Sequence, residues 1–295
     1  MKKEQFTGVM TAIVTPFDAE GKFESKTLAD LIEFQIAEGV DGIVPCGSTG
    51  ESATLNHKEH QEVIAFAIEA ARGRVRVIAG TGSNSTDEAI ALTKFAEGAG
   101  ANAALLTTPY YNKPTQEGLY NHYKKIHENT RIPLILYNIP GRTGVNMLPD
   151  TIARLASFER IVGIKEASGS LVQMMEIVRL CGDQMTLLSG DDGLTLPVMA
   201  IGGKGVISVT ANICPKSLRL LIDSFNLGDL QKSREIHYQY LPLHNSMFIE
   251  TNPIPVKGAL FLMGKCLNTL RLPLTSLSDS DLEKLKRVLK EFHLI

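Results

Sequence analysis

Short apolar runs recur along the 295-residue chain at intervals of 21 to 32 residues. They begin near Ala12, Ile43, Val75, Ala103, Leu134, Ile161, Met185 and Val206. Most are four to six residues long and apolar on both parities, the pattern of strands covered on both faces. The segments between them carry helical spacing. Leu28, Leu31, Ile32 and Ile36 form one stripe, which stops at Gly39, a natural C-terminal cap. Asn56 followed by Glu59, and Ser85 followed by Glu88, have capping-box spacing, and Pro149 suits the first turn of another helix. From about residue 215 the strand signal fades, while Leu282, Leu285, Leu289 and Phe292 keep a helical period.

Eight strand–helix units predict a parallel α/β architecture, either a closed barrel or an open doubly wound sheet. The count, the near-uniform pitch and the lack of a glycine-rich dinucleotide fingerprint after the first strand favour the barrel. The expected fold is an eight-stranded parallel β/α (TIM) barrel with a C-terminal helical extension. The barrel, carrying the active site, is assigned to residues 1–228 and a helical domain to residues 229–295.

Charge and composition narrow the function classes. Lys plus Arg is 30 and Asp plus Glu is 32, a balance that argues against a dedicated nucleic-acid or polybasic membrane binder. With 44% hydrophobic and 21% charged residues the chain is far from disorder. Cys46, Cys181, Cys214 and Cys266 sit singly, which gives neither a zinc knuckle nor a disulfide frame and points to a reducing compartment. No apolar run approaches the ~18–20 residues of a membrane span. Lys2-Lys3 is followed by Glu4, and Val9–Val14 is too short for a signal-peptide core. A soluble, cytoplasmic protein is expected.

In such a barrel, chemistry is built where polar residues follow the strands. Lys165 stands out, because it interrupts the apolar run Ile161–Ile164. Burial pushes a lysine toward its neutral form, and a neutral amine is what a Schiff-base nucleophile needs. The plain alternative is a structural lysine paired with a carboxylate at the rim. Glu166 is adjacent, although strand alternation points it to the opposite face. Tyr137 ends the preceding strand and offers either a proton-shuttling phenol or an ordinary core aromatic. Gly47-Ser48-Thr49-Gly50 supplies two hydroxyls and backbone N–H groups near a helix start, a carboxylate cradle without the ending of a nucleotide P-loop. Arg142 in a Pro-Gly-Arg-Thr turn is either a bidentate carboxylate clamp or a solvated turn arginine. His57 and His60 share a helix face, yet a metal needs three or more ligands. Asp191-Asp192 offers either a place for a cation or, the plainer reading, a rim loop bonded to backbone.

Together, Gly47-Ser-Thr-Gly-Glu51, Tyr137-Asn-Ile-Pro-Gly-Arg-Thr143, Gly163-Ile-Lys-Glu-Ala-Ser168, Gly205-Val-Ile-Ser208 and Asn252-Pro-Ile-Pro-Val-Lys257 resemble the dihydrodipicolinate synthase and N-acetylneuraminate lyase superfamily of Schiff-base aldolases. The resemblance covers essentially the whole chain. Pro140-Gly-Arg-Thr143 and Tyr110-Tyr111-Asn112-Lys113-Pro114 look like the synthase branch. It implies that Lys165 condenses with the ketone of pyruvate, that Tyr137, Tyr111 and Ser48 form a proton relay, and that the enamine attacks aspartate β-semialdehyde. Closure onto the amine would yield hydroxytetrahydrodipicolinate, the first committed step toward diaminopimelate and lysine. Tyr111 would reach into a neighbouring subunit. Thr49 and the backbone of Ile207 would hold the pyruvate carboxylate, and Arg142 that of the aldehyde. No metal or organic cofactor is implied, and a homotetramer built as a dimer of dimers is. One departure is Ser48, where the synthases usually carry threonine; the hydroxyl survives, with more rotamer freedom.

The resemblance also implies an L-lysine effector pocket at Ser52, Ala53, His57, His60, Gly82, Asn84, Glu88 and Tyr110. Two other readings stay open: a sialic-acid lyase or 2-keto-3-deoxy-acid aldolase sharing Lys165 and Tyr137, and a catalytically silent keto-acid sensor.

Overall fold

Each of the eight apolar runs becomes a parallel strand, and the strands follow one another in chain order around a closed barrel. The computed structural model describes Lys3 and residues 5–295. The strands are β1 (Gly8–Thr11), β2 (Gly42–Ile43), β3 (Arg76–Gly80), β4 (Ala103–Thr107), β5 (Leu134–Asn138), β6 (Ile161–Glu166), β7 (Thr186–Ser189) and β8 (Gly205–Ser208). This is the expected β/α barrel. The strand starts agree with the apolar runs to within one residue except at β1, which begins four residues before Ala12. The run Val9–Val14 is shared between the strand and its continuation, where the Ala12 N–H donates to the Ser208 carbonyl and the Ile13 N–H to that of Val44.

Contacts gather the chain into two compact units. The first comprises residues 1–8 and 77–207, within which only Lys3 and residues 5–8 of the opening segment are described. Its core packs Leu134, Leu136, Ile161 and Ile164 from the strands against Leu119, Ile126, Ile152, Leu155, Met174 and Ile177 from the surrounding helices. The helix Pro149–Ala156 opens with Pro149 at its first turn, as the sequence suggests. The Lys3 ammonium donates to the carbonyls of Ala156, Phe158 and Ile161 at 2.6, 2.8 and 2.9 Å, tying the chain start to the entry of β6. Lys2 and Glu4, which entered the targeting argument, lie outside the described residues.

The second unit comprises residues 9–76 and 208–295. The boundary expected at residue 228 falls inside it, between the helices Pro215–Asn226 and Leu230–Ser246, which pack on one another. In the helix Ser25–Ala37 the buried face is Leu28, Leu31, Ile32 and Gln35; Ile36 is only half-buried. Gln35 is satisfied in the interior, accepting from the Thr11 hydroxyl at 2.6 Å and donating to the carbonyls of Ala211 and Asn212 at 2.9 and 3.4 Å. Asn56 and Glu59 form the reciprocal capping box, but the second such pair is half-built. Ser85 accepts from the Glu88 N–H, while the Glu88 carboxylate takes the Ser83 hydroxyl instead. The helix Asp279–Glu291 buries Leu285 and Leu289. Among the described residues no helix is long and apolar enough to cross a membrane, and the four cysteines are free thiols.

Glycine decides one close approach in the first unit. At Gly205, with φ +152°, a Cβ would stand 2.1 Å from the Gly8 carbonyl oxygen, and the Gly8 N–H donates to the Lys204 carbonyl at 2.9 Å. Two backbones in contact leave no side chain to move aside. Gly205→Ala should therefore destabilise the protein by ~2 kcal/mol or more, read as a lowered urea midpoint. An unchanged midpoint would mean the two backbones are not locked at this spacing.

Candidate functional site

The site starts from a register shift. Leu134 of β5 pairs with Ile161 of β6, but Ile135 pairs with Gly163, so Val162 is skipped. Without that skip Tyr137 would stand opposite Ile164. With it, Tyr137 pairs with Lys165 and Asn138 with Glu166. The Lys165 ammonium nitrogen lies 4.3 Å from the centroid of the Tyr137 ring, within cation–π range. The lysine is 5% exposed, on a strand buried along its whole length.

Burial lowers the Lys165 pKa from 10.5 to about 8; the Asp192 charge opposes the fall and the Arg142 charge adds to it. Below both values the folded protein carries the full cost of the buried cation, on the order of 3 kcal/mol. The cost is shed as pH rises from about 8 to 10.5, because over that window only the unfolded chain still binds the proton. The stem is held by the rim of β7. A Cβ on Gly190 would lie 2.7 Å from Ala167 Cβ and 3.2 Å from Lys165 Cε, so glycine here leaves room for the chain after β6 and for the lysine stem.

Glu166 points to the other face of β6 and is fully occupied. Its carboxylate accepts from Asn138 Nδ2 at 3.0 and 3.3 Å, the Ser168 N–H at 2.7 Å and Gln173 Nε2 at 3.3 Å. Asn138 in turn accepts from the Met147 N–H at 3.0 Å and donates to Asn146 at 2.8 Å. Burial still raises the Glu166 pKa against these donors. Glu166 thus faces away from Lys165, as strand alternation predicts. The carboxylate that acts on the lysine is Asp192, 1% exposed, which the sequence reading left in a rim loop. Its neighbour does what that reading expects, since Asp191 accepts from the Gly193 N–H at 3.0 Å. Only their position just beyond β7 could have singled out Asp192; its burial is invisible in the sequence.

Arg142 sits on the short helix Pro140–Thr143, ended by Gly144 at φ +73°. Thr143 braces it, its single hydroxyl hydrogen lying within reach of the carbonyls of Ile139 and Val145, at 3.1 and 3.0 Å, while its oxygen accepts from the Thr108 hydroxyl at 3.3 Å. Tyr111 is 89% exposed and holds a left-handed φ of +71°. Its loop is tied down by Asn84, which donates to the Tyr110 carbonyl at 3.2 Å and accepts at its own carbonyl from Asn112 Nδ2 at 2.9 Å. Ile207 is buried in β8. All these residues belong to the first unit.

Ser48 and Thr49 belong to the second, in a loop whose Cys46 and Glu51 both have left-handed backbones. Thr49 is buried and accepts from Asn252 Nδ2 at 3.0 Å; the Gly50 carbonyl accepts from the Thr15 hydroxyl at 2.7 Å. Sequence reasoning placed Asn252 in a motif without a task. Of the expected effector set, Ser52, Ala53, His57 and His60 lie in the second unit, and Gly82, Asn84, Glu88 and Tyr110 in the first. Among the described residues no group of three or more His, Cys, Asp or Glu side chains could hold a metal ion.

A model of the dihydrodipicolinate synthetase family matches residues 5–292. The chain is 59% identical over 290 residues to the 4-hydroxy-tetrahydrodipicolinate synthase of Thermodesulfovibrio yellowstonii, covering 98% of this chain and 99% of the relative. It is similar to the solved structure of the chloride-inhibited dihydrodipicolinate synthase from Acinetobacter baumannii complexed with pyruvate, at 47% identity and a TM-score of 0.97, over 99% of this chain and 100% of that one. A third similarity is to the enzyme of Cyanidioschyzon merolae with lysine bound, at 40% identity and a TM-score of 0.96, over 98% and 99% of the two chains.

The charges around the buried amine have a sign that experiment can read. Asp192→Asn should lower the Lys165 pKa further and Arg142→Gln should raise it. Reductive methylation of Lys165, followed against pH by peptide mass spectrometry, should move its midpoint down in the first variant and up in the second. Shifts of equal sign would remove one of the two charges from the site.

Proposed function

The chain belongs to the dihydrodipicolinate synthetase family, and on that footing we propose that Lys165 is the amine through which it works. It is an enzyme, a Schiff-base aldolase that condenses pyruvate to form 4-hydroxy-tetrahydrodipicolinate in the diaminopimelate and lysine pathway. The observation that carries the role of Lys165 is a lysine on a fully buried strand, its pKa brought to about 8 and its nitrogen beside the Tyr137 ring.

In this reading the neutral Nζ attacks the ketone carbon of pyruvate, and the carbinolamine loses water to give an iminium. Tyr137 moves protons at these steps, with Tyr111 and Ser48 extending the relay. Loss of a methyl proton turns the iminium into an enamine, whose terminal carbon forms the new bond to the aldehyde carbon of aspartate β-semialdehyde. The aldehyde oxygen leaves that step as a hydroxyl. The amine of the second substrate then adds to the former ketone carbon and displaces Lys165, which departs with its nitrogen intact. The iminium serves as the electron sink, so the sequence of steps calls for no further cofactor.

Thr49 and the Ile207 backbone are assigned to the pyruvate carboxylate and Arg142 to that of the aldehyde. The brace on Arg142 supports this, because a clamp gains from being held in place before substrate arrives. Tyr111, exposed on a strained and tethered loop, is assigned a contact beyond its own chain, within a homotetramer built as a dimer of dimers. L-lysine is the proposed effector at the eight residues named above, by likeness to the lysine-bound relative. The residues 229–295 are assigned as a helical domain following the barrel, and the cytoplasm as the place of work.

Borohydride reduction in the presence of pyruvate should trap a covalent adduct on the peptide that contains Lys165. Lys165→Ala should abolish both adduct and turnover. Tyr137→Phe should cut turnover by ~10²-fold or more while an adduct still forms. Absence of an adduct would refute the Schiff-base role of Lys165, and near-normal turnover of the Phe variant would remove Tyr137 from the relay. Condensing activity that millimolar L-lysine leaves untouched would refute the effector assignment alone.

A further inference from the structure

The motif Asn252-Pro-Ile-Pro-Val-Lys257 has no part in the chemistry just described, yet it makes two buried polar contacts within the second unit. Both end on the Gly47–Glu51 loop. Asn252 Nδ2 donates to Thr49 Oγ1 at 3.0 Å across 203 residues of sequence. Five residues on, the Lys257 ammonium pairs with the Glu51 carboxylate, and neither side chain is exposed at all. The ammonium is completed by the Thr269 carbonyl at 2.9 Å and by the Phe17 ring, whose centroid lies 4.1 Å away. Glu51 also accepts from the Arg271 N–H at 3.1 Å, and it holds a φ of +53°. A non-glycine residue in that region costs energy and persists only where surrounding contacts impose it. Here the buried pair imposes it, and so fixes where Thr49, two residues earlier, can stand.

The direction of the bond to Thr49 matters as much as its presence. A threonine hydroxyl carries one hydrogen and two lone pairs. The amide nitrogen of Asn252 can only donate, so it occupies a lone pair of Thr49 and leaves the hydroxyl hydrogen for another acceptor. A carboxylate is an acceptor only. We propose that Asn252 is a positioning residue that fixes the Thr49 hydroxyl as a hydrogen-bond donor to the keto-acid carboxylate, with the Glu51–Lys257 pair anchoring both segments. The inference rests on the assignment of Thr49 to the pyruvate carboxylate.

Asn252→Asp tests the polarity, because a carboxylate at this place accepts the Thr49 hydrogen and takes it from the substrate. The KM for pyruvate should rise ~10-fold or more, with the KM for the aldehyde little changed. Asn252→Ala, which frees the hydroxyl without capturing its hydrogen, should raise the pyruvate KM less. Thr49→Val should raise it as N252D does, and adding N252D to T49V should raise it no further. If T49V raises the pyruvate KM and N252D does not, the positioning role is wrong while the Thr49 assignment survives. If T49V leaves the KM unchanged, the Thr49 assignment is wrong and the inference falls with it. Equal rises in both KM values with a lowered midpoint, or additive effects in the double variant, would show a structural role only. Should N252D fail to fold, the same cycle run with N252A decides between these outcomes.

Discussion

The active strand depends on one desolvated ammonium. Lys165 occupies an interior position of β6 where its charge is held at a cost, and that cost brings its pKa down to about 8, so that far more of the amine is neutral at ordinary pH than in an exposed lysine. The surroundings are arranged around it rather than against it. The skipped Val162 brings the Tyr137 ring to the nitrogen, and Gly190 leaves room for the stem. Asp192 limits how far the pKa falls, so that positive charge forming on the nitrogen during reaction has a buried carboxylate acting on it.

Two carboxylates near this strand are handled in opposite ways. Glu166 is buried against four hydrogen-bond contacts from Asn138, Ser168 and Gln173, and its work is to hold the rims of β5 and β6 in register. Asp192 acts on the lysine through charge. Neighbours in sequence are thus separated in function by the alternation of a strand, and a residue 27 positions away supplies what the adjacent one does not. The second unit applies the same economy with a paired charge. Glu51 and Lys257 satisfy each other out of water, and breaking such a pair by removing one partner typically costs ~3–5 kcal/mol. That stiffness is transmitted to a loop with two left-handed residues, where a single hydroxyl orientation is at stake.

Much of this was legible in the pattern of residues. Runs apolar on both parities at near-constant pitch predict covered parallel strands, and a lysine inside such a run is conspicuous because few forces keep a charge there. What stayed hidden depended on tertiary contact. The β5–β6 register turns on one skipped residue that no periodicity reveals. Asp192 looks like any loop aspartate until its burial is known, and Gln35 replaces Ile36 on a buried helix face because Thr11 and Ala211 supply partners for its amide. The bond from Asn252 to Thr49 joins motifs 203 residues apart, a distance over which local spacing carries no information.

The central claim is that the fold lowers the pKa of the Lys165 amine, and so makes it easy to deprotonate, before any substrate arrives. Nuclear magnetic resonance titration of the unliganded protein labelled with carbon-13 at the lysine ε-carbons reads this directly. One resonance, absent from a Lys165→Met variant, should titrate with a midpoint near 8 while exposed lysines titrate near 10.5. A Lys165 resonance that titrates with the exposed lysines would contradict the account.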